Sequence, residues 1–364
     1  MNKITKMIVV LASSLGIAFS ATAGELAVSG SAKASYLVNG GGGNNSDDVG
    51  LGITNELMFK ASGELDNGFT WNYHTELDPN GGGTTDNDDT ALVIGMGDMG
   101  TFSICDSECG LSVELGHGIG ALGTGNDYAN TWGASGNTAS AWGWDVSAHP
   151  NIQYAAPSGL LPFGIGAKIG FVPNTGDGDS NSFKNTGGEN SKGADGDTAI
   201  QYQLTATPLD GLKVGADYIT YPGDTVANDS EKSGGNFYLQ YAMGNFKVGY
   251  NKGYAEDGVS SYADGNGNSF DYQETDSIGI EFAINDALTV SFSQEDHAAA
   301  DKGTIATGAS TKTKQETTMS SDIAQVAYNI GGATIGVFHN ETDNSEFVIG
   351  NTESKTIFHL GMEF

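Results

Sequence analysis

Apolar residues recur at every second position through most of the chain. Near the start, "ELAVSGSAKASYLV" places Leu26, Val28, Gly30, Ala32, Ala34, Tyr36 and Val38 on one face and Glu25, Ala27, Ser29, Ser31, Lys33 and Ser35 on the other. A period of two held over a dozen residues predicts a β-strand with one greasy face. Leu57, Phe59 and Ala61 repeat the pattern. After a turn at Asp66-Asn67-Gly68, so do Phe69, Trp71, Tyr73 and Leu77. The chain ends "KTIFHLGMEF", with Phe358, Leu360, Met362 and Phe364 alternating up to the last residue.

The connections between these runs also alternate. Tight turns are expected at Asp98-Met99-Gly100, Pro208 to Gly211, Ala242 to Asn245, Asn285-Asp286 and Gly331-Gly332. Long stretches rich in Gly, Asn, Ser and acids occupy about 174–197, 222–234, 255–273, 297–321 and 342–354. Short links at one end and long ones at the other describe an up-and-down antiparallel meander of about sixteen strands. A soluble barrel or sandwich would point its apolar side chains inward. Sixteen strands enclose more space than side chains can fill, however, so a lumen is expected, lined by the small polar face. The greasy face then turns to lipid, with aromatic girdles from Tyr36, Phe69, Trp71, Phe171, Tyr218, Tyr221, Phe246 and Tyr254. A last strand paired with the first leaves no open edge, which hydrocarbon would not tolerate.

Composition sharpens this picture. Lys3 and Lys6, the apolar run Met7 to Phe19 and the Ala21-Thr22-Ala23 site read as a secretory signal over residues 1–23. The run is too short to span a membrane, and the barrel domain is expected over 24–364. The 55 glycines argue against an all-helical fold. All 15 basic residues are lysines, two of them in the signal, against 45 acids. The mature chain therefore carries about −32 (13 minus 45), which disfavours nucleic-acid partners and attracts cations.

At "LMFKASGELDNGFTWNYHTEL" the chain resembles the general bacterial porins of the outer membrane, through Leu57, Phe59, Lys60, Glu64, Leu65, Asn67, Gly68 and Glu76. "NIQYAAPSGLLPFGIGAKIGF" is similar to that family's mid-barrel hairpin. Tyr154, Pro157, Phe163 and Gly164 carry the likeness, and Gln153 stands where a basic residue is common. The terminal Phe358, Leu360, Met362 and Phe364 resemble its assembly signal. The resemblance implies a homotrimer of sixteen-stranded barrels in the outer membrane, contacts with lipid, lipopolysaccharide and the assembly machinery, and a third long loop folded into the lumen. That loop would occupy about 103–149 here, and it carries Cys105, Cys109, Trp132, Trp142 and Trp144.

The family sets a basic wall, mostly arginine, against an acidic inner loop. Strand parity puts Lys33, Lys60, Lys168, Lys213 and Lys247 on the lumen face, and the loop offers Asp106, Glu108, Glu114 and Asp127. These lysines could equally solvate the lumen or neutralise neighbouring acids. Cys105 and Cys109 favour a disulfide in an oxidising compartment. Zinc at these cysteines with His117 would need a fourth ligand that the sequence does not name. "DNDD", "GDGDS" and "GADGDT" could bind Ca²⁺ weakly, bridging to anionic headgroups, although none matches the twelve-residue calcium loop and a solvated rim is the default. His74, His117, His149, His297, His339 and His359 have no catalytic spacing, so no enzyme and no cofactor is expected. The leading function is passive diffusion of small hydrophilic solutes with weak cation preference. A channel selective for sugars, amino acids or phosphate, a non-conducting adhesin and an outer-membrane enzyme remain as alternatives.

Overall fold

The computed structural model describes residues 25–41, 49–79, 85–106, 109–124, 145–173, 198–221, 232–256, 270–301, 316–345 and 349–364. The leader expected over residues 1–23 lies outside them.

Sixteen strands follow in chain order: β1 Glu25–Gly41, β2 Val49–Glu64, β3 Thr70–Pro79, β4 Thr85–Gly95, β5 Thr101–Cys105, β6 Asn151–Ala155, β7 Gly166–Val172, β8 Ala199–Leu209, β9 Leu212–Tyr221, β10 Lys232–Met243, β11 Phe246–Glu256, β12 Phe270–Ala283, β13 Leu288–Asp301, β14 Glu316–Asn329, β15 Ala333–Asp343 and β16 Thr352–Glu363. Each pairs antiparallel with its sequence neighbours. β16 also pairs with β1, from Ser31 opposite Glu363 to Gly41 opposite Glu353. The sheet is a closed barrel, so each strand has a neighbour on both sides and none stands as a free edge strand.

Alternation along each strand sorts the side chains. On β12, Ile278 is 59% exposed and Ser277 1%. Leu26, Val28, Leu51, Ile53, Phe292 and Tyr328 are likewise exposed, whereas Gln201, Asn236, Asn251, Ser293 and Gln325 are buried. The outer surface of a barrel is the side nothing screens, so the apolar positions point outward and the polar ones inward.

Among the described residues, the enclosed face carries two clusters of apolar side chains beside its small and polar lining. Leu111 and Val146 pack with Val172, Ala199 and Ile219. Leu37 and Leu122 pack against Ile323, Phe338 and Ile357. Both clusters join wall residues to residues of the connection between β5 and β6, so apolar side chains at inward parity mark where that connection is seated.

Several boundaries differ from the sequence pattern. β13 runs on to Asp301 and β14 begins at Glu316, so the 297–321 connection is shorter than expected. β12 likewise begins at Phe270, within the expected 255–273 loop. Hydrogen-bonded pairing continues past the last apolar side chain because the ladder needs only backbone, and polar residues then occupy the outward positions. The "DNDD" stretch, Asp86 to Asp89, stands within β4 rather than in a loop. "GDGDS" and all but the last residue of "GADGDT" lie outside the described residues. The third long connection begins after Cys105, not after Phe102, because β5 pairs with β4 and β6 through that residue.

Candidate functional site

The connection leaving β5 is pinned at once. Cys105, buried at the strand's end, is joined to Cys109 by a disulfide. Both sulfurs are thereby committed, which removes them from any zinc site with His117. Gln153 on β6 donates to the Cys109 carbonyl. Asp145 then clasps the two ends of the connection: its carboxylate accepts from the Leu111 and Ser112 N–H groups at 3.0 and 2.5 Å and from Ser147 N–H at 2.9 Å.

From Leu111 to Gly123 the segment crosses the enclosed face strand by strand. Gln203 on β8 donates to Leu111 O at 2.9 Å. Asp217 on β9 accepts from Val113 N–H at 2.8 Å, from Gln201 at 3.1 Å and from Asn236 at 3.2 Å. Gln240 on β10 donates to His117 O at 2.6 Å, and Lys247 on β11 to Gly118 O at 3.1 Å. Glu281 on β12 accepts from Gly120 N–H at 3.2 Å, Ser291 on β13 from Ala121 N–H at 2.9 Å, and Gln325 on β14 from Leu122 N–H at 2.8 Å. Gln325 also donates to Gly123 O at 2.8 Å. The segment has little regular structure of its own, so its backbone groups are satisfied by wall side chains. Wall glycines let it approach: a Cβ on Gly249 would stand 2.6 Å from His117 Cβ, and one on Gly279 2.7 Å from Ile119 Cγ2.

His117 is buried at the middle of this run. Its Nδ1 accepts from Ile119 N–H at 3.0 Å, so Nε2 carries the proton and donates to Ser277 Oγ at 3.0 Å. Burial pushes its pKa below the ordinary value. The Glu295 carboxylate opposes that shift and the Lys247 ammonium reinforces it. This orientation is the reverse of a serine nucleophile pair, in which the imidazole accepts from the hydroxyl.

Strand register places Lys33, Lys60, Lys168, Lys213 and Lys247 on the enclosed face. Lys33 lies opposite Gly361 and Lys60 opposite His74. Lys60, Lys168 and Lys213 are exposed there, and Lys33 is half-buried. Lys247 is committed instead to Glu281 at 2.8 Å and to the segment. Lys355, also inward, is buried 3.3 Å from Glu353. Of the loop acids, Glu114 is exposed, while Asp106 is half-buried at the end of β5 with its N–H on Thr90 O. Glu108, Asp127, Trp132, Trp142 and Trp144 lie outside the described residues. Among the described residues, no group of three or more His, Cys, Asp or Glu could hold a metal ion.

The sequence reading missed the anchoring residues Asp145, Asp217, Glu281, Gln201, Gln203, Gln240 and Gln325. For those on strands the available signal was their inward parity; what they would hold was not visible.

No protein-family model and no curated protein matches the sequence. Solved structures do match. OmpF of Salmonella typhi, in complex with daunomycin, superposes with a TM-score of 0.62 at 10% identity, over 94% of this chain and 98% of that one. An anion-selective porin from Comamonas acidovorans gives 0.61 at 12%, over 94% and 100%. A trimer form of OmpT, an outer membrane protein of Vibrio cholerae, gives 0.59 at 13%, over 94% and 100%. Both the closed sixteen-strand order and these superpositions give the chain the fold of bacterial outer-membrane porins.

Proposed function

We propose that the protein is an outer-membrane porin that passes small hydrophilic solutes by diffusion, without covalent chemistry. The observation that carries this reading is the segment from Cys109 to Thr124, fastened by wall side chains across the enclosed face from β6 to β14. A sixteen-stranded barrel is too wide for its own side chains to close. A segment fixed across it narrows the lumen without sealing it. The outward apolar surface suits hydrocarbon, and the closure of β16 on β1 leaves no free edge strand there.

Lys33 and Lys60 on β1 and β2 stand as the basic wall, and Glu114 on the segment as the exposed acid. Selectivity then follows from charges facing one another across the narrowed region. With lysine in place of arginine and a strongly acidic chain, the preference is weakly cationic. The outward apolar wall and the trimer form of one structural neighbour support a homotrimer in contact with lipid, lipopolysaccharide and the assembly machinery. The alignment of His117 against Ser277 gives no support to a hydrolase. Calcium binding at the acidic long connections stays a weak secondary property.

Conductance of the refolded mature chain in planar bilayers, in a series of salts and sugars, tests the reading. Stepwise ohmic channels with a reversal potential slightly favouring potassium over chloride are expected. A folded protein that conducts nothing would overturn it, and a clear chloride preference would overturn the selectivity.

A further inference from the structure

Enclosed-face positions differ in what covers them. On β12 and β14, Ser277 and Gln325 are buried where they meet His117 and Leu122 of the segment. On the short-turn half of β2 and β3, Lys60, Ser62, Thr70 and Asn72 share the inward parity and are exposed. The hydrogen bonds that fasten Cys109 to Gly123 run to β6 and to β8 through β14. Water therefore reaches the wall at β2 and β3.

His74 stands in this arc, half-buried and in register with Lys60. Directly opposed side chains on neighbouring strands have Cβ atoms ~4.5–5.5 Å apart, so the imidazole lies beside the lysine. On β4 the partner of His74 is the uncharged Ala91. The next inward residue on β3 is Glu76, opposite Met58 on β2 and in register with Asp88 on β4. From Thr70, where β3 leaves the short turn, to His74 is about 13 Å of strand. At the usual tilt that is roughly 10 Å into the lumen. Of the strand histidines with inward parity among the described residues, His297 and His359 are buried. His74 is the one that the water path reaches.

We infer that His74 is a specificity-determining residue that ties the ion preference of the pore to pH, an inference that rests on the diffusion-pore reading above. Imidazole is the side chain whose charge changes between about pH 5 and 8. Neutral, His74 leaves Lys60 as the single cation of this stretch, with Glu76 beside it, and potassium keeps its slight advantage. Protonated, it doubles the positive charge of the stretch, which draws anions into the lumen and repels cations. Water-exposed carboxylates titrate near pH ~4, so they hold their charge while the imidazole changes. The wall thus turns from weakly cation-preferring toward anion-preferring over a pH range in which its exposed acids and lysines are constant.

Reversal potentials of the refolded mature chain in planar bilayers test it, at about pH 8 and pH 5. A potassium chloride gradient at about 0.1 M or below keeps the Debye length at ~10 Å or more. The wild-type permeability ratio of potassium to chloride should fall by roughly 1.4-fold on acidification, the effect of one added charge. His74→Gln should hold the wild-type alkaline ratio at both pH values. His74→Lys should hold the wild-type acid ratio at both. His339→Gln, on the outward face of β15, should keep the full step. Heat-modifiable gel mobility confirms that each variant is folded. Three results overturn the inference and leave the diffusion pore standing: a wild-type ratio that is equal at both pH values, a step of wild-type size in His74→Gln, or a step lost in His339→Gln. Folded protein that conducts nothing removes both.

Discussion

Phe364 and Gly30 exchange both backbone hydrogen bonds across the β16–β1 seam, Gly30 N–H to Phe364 O at 2.7 Å and Phe364 N–H to Gly30 O at 2.9 Å. The Phe364 ring covers the space that a side chain at position 30 would need. A Cβ there would lie 2.9 Å from Cε2 of the ring and 2.7 Å from the Glu56 carbonyl. The closing contact of the barrel thus requires the last residue and the absence of a side chain opposite it. Gly30→Val should destabilise the folded barrel by about 1–3 kcal/mol, the usual cost of overpacking, and removal of Phe364 should slow folding. Urea midpoints and the yield of heat-modifiable barrel read both; a Gly30→Val midpoint equal to wild type would show that the seam tolerates the bulk.

Asp217, at a buried site, holds the segment by accepting from Val113 N–H and is itself held by the side-chain amides of Gln201 and Asn236. Asp217→Ala leaves the Val113 N–H and the amides of Gln201 and Asn236 without that acceptor, and each buried orphan costs about 1–3 kcal/mol. The expected signature is open-channel current noise above wild type, together with a lowered unfolding midpoint. Quiet channels in a folded Asp217→Ala barrel would show that the segment is held elsewhere.

Acid should loosen the same segment through His117. Its folded pKa lies below the ordinary 6.5, so the unfolded chain takes up its proton first as pH falls. The stability contribution of the neutral imidazole is whole above about pH 6.5 and declines as pH drops from there toward the folded value. Protonation at Nδ1 would also break the bond from Ile119 N–H. Wild type should lose more stability between pH 7.5 and pH 5 than His117→Gln does; parallel pH profiles would exclude this histidine as the cause.

Lysines on the enclosed face should differ in their effect on ion preference. Lys33→Glu and Lys60→Glu place new charge on the wall and should raise cation over anion permeability by roughly twofold or more. Lys247→Gln removes a cation already paired with Glu281 and should move the reversal potential less, at some cost in stability. A larger shift from Lys247→Gln than from Lys33→Glu would reverse this assignment of the wall.

The Cys105–Cys109 disulfide closes a ring of only five residues. Chain entropy assigns such a ring about 2 kcal/mol. Cys109→Ser should lower the unfolding free energy read from urea titration by a comparable amount and abolish its dependence on reductant. Two free thiols in protein purified without reductant would remove the bond altogether.

Much of the architecture could be read from alternation alone. Val28 and Ser29, or Ile278 and Ser277, differ by one position, and in a pleated strand that decides which face each occupies. The inward parity of Lys33 and Lys60 came from the same rule. Strand ends were less visible: the ladder through Asp301 and Glu316 is held by backbone pairing, which the side-chain pattern does not record. Least visible was the seating of the segment. Asp217 and Gln325 share the inward parity of lumen-lining residues, yet they are spent on the backbone of residues about a hundred and two hundred positions away in the chain.

The amino-acid sequence by itself determined a closed meander with apolar residues outside and polar residues inside, because a two-residue period and turn chemistry are local properties of the chain. Only the tertiary structure decided which polar residues stay in the water path and which are used as anchors. That choice depends on which wall positions the segment after Cys109 reaches, and the distance between Val113 and Asp217, or between Leu122 and Gln325, exists only once the barrel has closed.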